Sequence, residues 1–260
     1  MLGSSKTIVV QSFRAHDVPE WISRCLTSVR TWAALSKFQY KMMGDEFLDL
    51  VPDWYRRKAR RYITVITDLA RLVLLRQCLE EGFDRAIWVD ADMAVFRPSI
   101  LKVDPDLSYG YSREIWIEKK CSAGLIATRK INNSACLFRN DDISLAHLDE
   151  YICACKSIVA GLKELRDHTE VGTKFLTAQD REQPLPILRG FGLFSPTILQ
   201  AFLDSDAEVL REFLKLQGDP ICAANLCNFL RAKRKDGPGV PDKTYSIVLD
   251  KLMEGRMLPY

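Results

Sequence analysis

Between Ala86 and Phe96 the chain reads Ala-Ile-Trp-Val-Asp-Ala-Asp-Met-Ala-Val-Phe, an apolar run broken by two carboxylates one residue apart. It is too short for a membrane span and is bounded by Asp84-Arg85 and Arg97-Pro98, so apart from its acids it predicts a buried strand. Ionised carboxylates are costly in such surroundings unless positive charge meets them. A divalent metal ion is the simplest partner, because it takes hard oxygen ligands and leaves positions open for phosphate oxygens. Residues two apart on a strand point the same way, which gives Asp90 and Asp92 one shared site at the strand's end. The competing reading is an exposed turn that happens to carry two acids; the apolar flanks weigh against it.

The segment before this run adds to the picture. Thr67-Asp68-Leu69-Ala70-Arg71-Leu72-Val73-Leu74-Leu75 predicts the start of a helix, with Thr67 as N-cap and Gly82 as the stop. Leu69, Leu72, Val73 and Leu79 supply its apolar stripe. Asp68 and Arg71, three apart, share a face of the first turn. A helix N-terminus with an Arg beside a metal-bound acidic pair suits an anionic ligand. A local ion pair, worth about a few tenths of a kcal/mol, is the plainer alternative.

Elsewhere the punctuation alternates between strand and helix. Thr7 to Phe13 reads as the first strand. Asp17 caps a helix with Pro19 in its first turn, and Ile22, Cys25, Leu26, Val29 and Ala33 mark its stripe to about Leu35. Phe38 to Met43 is a second strand, and Glu46 to Arg61 a helical, basic connection. Leu107 to Ile117 and Ser134 to Phe138 are further strands. Leu145, Leu148, Ile152, Cys155 and Val159 mark a long amphipathic helix. From Pro196 the tail is mainly helical, broken at Asp236-Gly237-Pro238-Gly239-Val240-Pro241. The fold class this predicts is α/β: one mostly parallel twisted sheet with helices on both faces and a helical C-terminal extension. Ligands then bind at the carboxyl ends of the strands.

A Thr-Asp-x-x-Arg helix followed by an apolar strand ending in Asp-x-Asp resembles the nucleotide-sugar-dependent glycosyltransferases of the GT-A fold that carry a DXD motif. In the glycogenin-like branch the strand reads much like Phe83-Asp84-Arg85-Ala86-Ile87-Trp88-Val89-Asp90-Ala91-Asp92. The DXD sugar-binding branch, with capsular-polysaccharide enzymes and glucosylating toxins, adds an Asn-containing strand, a helix and a Gly-Pro-like turn. Asn132-Asn133-Ser134-Ala135-Cys136-Leu137-Phe138 and Val171-Gly172-Thr173-Lys174-Phe175-Leu176-Thr177 fall in that order, with Thr173 where the family often has Pro. The C-terminal His-rich signature of the glycogenin-like branch is missing, since the only histidines are His16, His147 and His168. The resemblance covers residues 6–180.

The resemblance implies a single domain over residues 1–260, with a nucleotide-sugar core at about 6–138 and an acceptor-side, helical part at about 139–260. Gln11 and Ser12 then lie in the nucleotide crevice, as the strand-end rule also expects. Asp68 and Arg71 face the donor sugar and diphosphate. Asp90 and Asp92 hold Mn²⁺ or Mg²⁺, with Asp92 the direct ligand and Ala91 between them against the donor. Asn133 reaches the sugar face, which makes Asp68 and Asn133 the catalytic candidates. The reaction implied is hexosyl transfer from a nucleotide-diphosphate sugar to an acceptor left open among saccharide, lipid-linked sugar, small molecule and protein, with retention favoured. Asp236 or Asp242 is a candidate third metal ligand. Two other readings stay open: an aspartate-based phosphotransferase or phosphatase, and a non-catalytic nucleotide-sugar-binding protein.

Composition narrows the field. A net charge of +3 over 260 residues gives no reason to expect a nucleic-acid partner. No segment approaches a membrane helix, and Met1 to Lys6 has no apolar signal core, so the expected location is cytoplasmic. Of the eight cysteines, most fall on predicted apolar faces. Cys153-Ala154-Cys155 and Cys222 to Cys227 lack zinc-type spacing with histidine, so buried free thiols are expected. His16, His147 and His168 read as loop or surface residues, and Trp54 to Arg61 as a solvated helix face. Arg231 to Lys235 reads as an exposed helix end, and Gly190 to Ser195 as either acceptor wall or strand end.

Overall fold

Continuous runs of Val, Ile and Ala are what strands buried on both faces require, and they form the centre of the sheet. A computed structural model describes residues 6–120, 124–163, 169–231 and 239–255. β1 (Thr7–Ser12) lies between two parallel neighbours, β2 (Gln39–Met43) and β3 (Arg85–Val89). β6 (Gly124–Arg139) pairs antiparallel to β3, and β5 (Tyr109–Lys120) antiparallel to β6, giving the order β2-β1-β3-β6-β5. β5 therefore points the same way as β1 to β3, and β6 alone runs against them.

Side-chain alternation divides the strands between two cores. Ile8, Val10, Ala86, Trp88 and Phe138 face a layer built from α2 (Asp53–Ala59), α3 (Ile63–Glu80), α4 (Asp142–Gly161) and α5 (Thr173–Glu182). Val9, Ile87, Val89 and Leu137 face α1 (Glu20–Leu35) and the short strands β4 (Met93–Val95), β7 (Phe191–Leu193) and β8 (Ala223–Asn225). Those three short strands form a second sheet in the order β4-β8-β7. A third core gathers α6 (Pro196–Asp204), α7 (Ala207–Gln217) and α8 (Asp242–Met253) against α1 and β5, with Trp21 stacked on Tyr245 at 4.1 Å. The α/β class with helices on both faces holds. Among the described residues no helix is long and apolar enough to cross a membrane.

Several local expectations need correction. The 86–96 run is two strands in two sheets: β3 ends at Val89, Asp90-Ala91-Asp92 is a turn, and β4 leaves to pair with β8. Both flanks are apolar because each half is buried in its own core, so Asp90 and Asp92 share a site by turn geometry. α3 begins at Ile63, because Val65 and Ile66 are already buried and carry the stripe a turn further back. Thr67 is therefore not the N-cap; its hydroxyl donates to the Thr64 carbonyl at 2.9 Å, inside the helix. Asp68 and Arg71 consequently lie beyond the first turn. Gly82 does end the helix, at φ +90°. Asp17, at φ +51°, does not cap α1; Pro19 holds that position. The strands expected after Asp92 prove to be the arms of one long hairpin, and the helical tail contains β8.

Candidate active site

A cavity of about 670 Å³ opens at the carboxyl ends of β1, β2 and β3. The Asp90-Ala91-Asp92 turn lies in its wall, pinned from three directions. The Asp90 amide donates to the Ser134 carbonyl at 2.7 Å, the Gln11 side chain donates to the Asp90 carbonyl at 3.0 Å, and the Leu226 amide donates to the Asp92 carbonyl at 3.0 Å.

The two carboxylates converge. The Asn225 side-chain amide donates to Asp92 Oδ1 at 2.7 Å and to Asp90 Oδ2 at 3.3 Å, so one nitrogen bridges both. Asp92 Oδ2 accepts from the Asn228 backbone amide at 2.7 Å. Asp90 Oδ1 accepts from the Trp88 indole at 2.6 Å and faces Arg71 at 3.2 Å. Burial raises the pKa of both acids, and the neighbouring Asp90 charge helps push Asp92 up to about 7. Desolvation, and for Asp92 the neighbouring Asp90, thus make the ionised forms of this pair costly.

Arg71 sits between two acids. Its guanidinium lies 3.3 Å from Asp68 and 3.2 Å from Asp90, donates to the Asn133 carbonyl at 2.6 Å, and lies over the Trp88 ring at 5.2 Å. Burial opposes its charge; Asp90 and Asp68 more than restore it. Asp68 is pushed up to about 6 by burial, against the pull of Arg71 and a 3.0 Å hydrogen bond donated by the Asn133 amide. Gly172 closes over this acid: a Cβ there would stand 2.7 Å from Asp68 Oδ2.

Most of the residues singled out in the sequence meet at this cavity, and some do not. Ser12, Asp68, Arg71, Asp90, Ala91, Asp92 and Asn133 all line the cavity. Gln11 does not: it is fully buried, and its amide is used on the Asp90 carbonyl and on the Tyr40 hydroxyl, which donates to it at 3.0 Å. It holds the turn from behind. His16 is exposed and away from the wall. His147 is half-buried and engaged: it stacks on Tyr109 at 4.0 Å and hydrogen-bonds the Tyr111 hydroxyl at 2.8 Å. Tyr55 is buried, although Trp54 and Arg57 beside it are exposed, so only part of that helix face is solvated. Phe191–Leu193 is a buried strand, with Leu193 on the cavity wall. Asp242 is engaged by Trp21 and Arg231. His168, Cys121, Asp236 and the basic run at 232–235 lie outside the described residues. The seven described cysteines are all free, six buried and Cys153 exposed.

Among the described residues no cluster of three or more His, Cys, Asp or Glu side chains is arranged to hold a metal ion. The donor set beside the turn nevertheless suits a hard cation. Two carboxylate oxygens already converge within hydrogen-bond reach of one atom. Asn228 Oδ1, on the same wall, is buried with no hydrogen-bond partner among the described residues. A buried acceptor without a partner, on the wall where two carboxylates converge, is a donor set compatible with a divalent ion. Asn225, Asn228 and a hairpin carboxylate, Glu114, were not visible to sequence reasoning, which had no local pattern to find them by.

No protein-family model matches the chain, and no curated protein matches it in sequence. Among solved structures it is similar to a glycosyltransferase involved in glycosylation of the major capsid of PBCV-1. The identity is 8%, covering 94% of this chain and 99% of that one, with a TM-score of 0.50. Mouse xyloside xylosyltransferase 1 is matched at 10% identity over 86% of this chain and 98% of that one, TM-score 0.44. GlyE of Streptococcus pneumoniae is matched at 12% identity and TM-score 0.42, over 98% of this chain but 65% of that one. At these identities the likeness is one of fold, and the first match carries it.

Proposed function

We propose that this chain is a metal-dependent glycosyltransferase that moves a sugar from a nucleotide-diphosphate sugar to an acceptor. The observation that carries the reading is the convergence of Asp90 and Asp92 at a strand-end cavity, in a chain with a glycosyltransferase fold. The cavity's size falls within the roughly 300–1,000 Å³ of small-molecule sites. An aspartyl-phosphotransferase reading gains no observation in its favour.

Asp90, Asp92 and the Asn228 side-chain oxygen would hold Mn²⁺ or Mg²⁺. A bound ion would supply neutralisation of the charge developing on the departing diphosphate. Ser12, Gly44 and Asp45, at the ends of β1 and β2, are assigned to the nucleoside. Asp68 and Asn133 are assigned to the sugar face. Arg71 is spoken for by two acids, so its task is to orient Asp90 and offset its charge. Retention follows the family resemblance, and the free thiols suit a reducing, cytoplasmic setting.

The test is thermal stabilisation by nucleoside diphosphates with and without Mn²⁺. UDP or GDP should raise the melting temperature only when Mn²⁺ is present, and Asp92→Asn should abolish the effect while keeping the fold. Asp90→Asn should weaken it, and turnover in Asp92→Asn should fall by about a hundredfold or more. Wild-type stabilisation in Asp92→Asn, or stabilisation by phosphate mimics alone, would sink the reading.

A further inference from the structure

We propose that the cavity face of the β5–β6 hairpin is the acceptor subsite and that it takes a neutral saccharide, with Glu114 accepting hydroxyl hydrogens and Trp116 covering a sugar ring. This rests on the glycosyltransferase reading above and names the other substrate of that site.

Strand alternation puts Glu114 and Trp116 on one face of β5, and both line the cavity. The opposite face is already used: Ile115 and Ile117 enter the C-terminal core, and Arg113 donates to the Gln217 carbonyl at 2.8 Å. Glu114 is only 5% exposed, which is unusual for a hairpin acid. Lys130, its cross-strand neighbour, reaches one carboxylate oxygen at 3.2 Å, and the Asn132 amide reaches the other at 2.8 Å. A carboxylate offers about four acceptor sites, so with two donors in place it retains capacity for ligand hydroxyls.

The charge balance identifies the class of ligand. Lys130 offsets Glu114 and lies over the Trp116 ring at 5.7 Å, and Glu118 beside the indole adds negative charge, so this wall favours no anion. An anionic lipid or phosphorylated peptide gains nothing there. A ring with an apolar C–H face and a hydroxyl rim matches both the indole and the carboxylate. Trp116 is held for the purpose, packed on the C-terminal core and donating to Glu118 at 3.2 Å. The subsite adjoins the donor wall, because Asn132 bonds Glu114 while Asn133, the next residue, bonds Asp68.

Saturation-transfer NMR on the full chain reads this directly. Methyl glycosides of glucose, galactose, mannose and N-acetylglucosamine are the probes, alone and with UDP or GDP plus Mn²⁺. At least one should bind the wild type, bind about tenfold more weakly to Glu114→Gln, and lose its signal in Trp116→Ala. The Mn²⁺–nucleotide melting shift should survive in both variants. Should Trp116→Ala fail to fold, Glu114→Gln decides alone. No glycoside binding to wild type, or binding unchanged in the folded variants, overturns the subsite. A missing nucleotide shift in wild type strikes the glycosyltransferase reading instead, and the glycoside signals still decide this one.

Discussion

Arg71 is the residue on which the site's electrostatics turn. It is a buried cation flanked by the buried Asp68 and the half-buried Asp90, so its removal leaves charge without a partner. Arg71→Met should cost about 3–5 kcal/mol at neutral pH, as broken buried pairs do. The loss should shrink as pH falls, because the stranded acids can then take protons. Asp68 shows the same sign in the wild type. Its carboxyl is raised from 3.8 to about 6, so between those values the folded state holds a proton that the unfolded state has shed. Stability then rises as pH falls through that window. Urea midpoints at pH 4.5 and 7 should show wild type gaining on Asp68→Asn at the lower pH; equal gains in both would assign the effect elsewhere. At this scale the sequence displayed Asp90, Asp92 and the Asp68–Arg71 pair, because each is a short-range pattern. It concealed the work of Gln11, which looks like a ligand contact by position and is a buried brace by geometry.

Whole elements were legible wherever one apolar stripe served one core. α1, α3 and α4 follow their predicted stripes, though α3 starts earlier than its apparent cap. The hairpin was only half visible, because the first part of β6, from Gly124 to Lys130, is largely exposed and has no buried alternation to betray it. β7 and β8 were harder still: three residues each, and Ala-Ala-Asn has little strand propensity of its own. Two glycines at element ends give separable tests. Gly172→Ala places a methyl group 2.7 Å from Asp68 Oδ2 and should cost about 1–3 kcal/mol by overpacking. It should also disturb Asp68, so its effect on the urea midpoint should differ between pH 4.5 and 7. Gly82→Ala has nothing within 4 Å and suffers only from its φ of +90°. About 1–2 kcal/mol, with no pH dependence, is expected there.

At the scale of the molecule, the acidic turn belongs to both ends of the chain. β4 leaves Asp92 directly for the second sheet, and β8 with the turn that follows it returns Asn225 and Asn228 to the two carboxylates from more than 130 positions away. No periodicity or motif within 86–96 reports a partner at that separation, so only the assembled fold reveals it. The two asparagines do different things, which makes the assignment of Asn228 testable. The Asn225 amide is engaged three ways, donating to both acids and accepting from the Cys227 amide at 2.7 Å. Asn225→Ala should therefore lower stability by about 1–3 kcal/mol. Asn228 reaches Asp92 through its backbone, while its side-chain oxygen has no partner among the described residues. Asn228→Ala keeps that backbone bond and removes a buried, unsatisfied acceptor, so the melting temperature without metal should hold or rise slightly. Mn²⁺ affinity, read by calorimetry, should nevertheless fall at least about tenfold, the loss common even for residues one shell out from a metal. A variant that melts lower yet binds Mn²⁺ like wild type would make Asn228 a structural residue and leave the cation with the two aspartates alone.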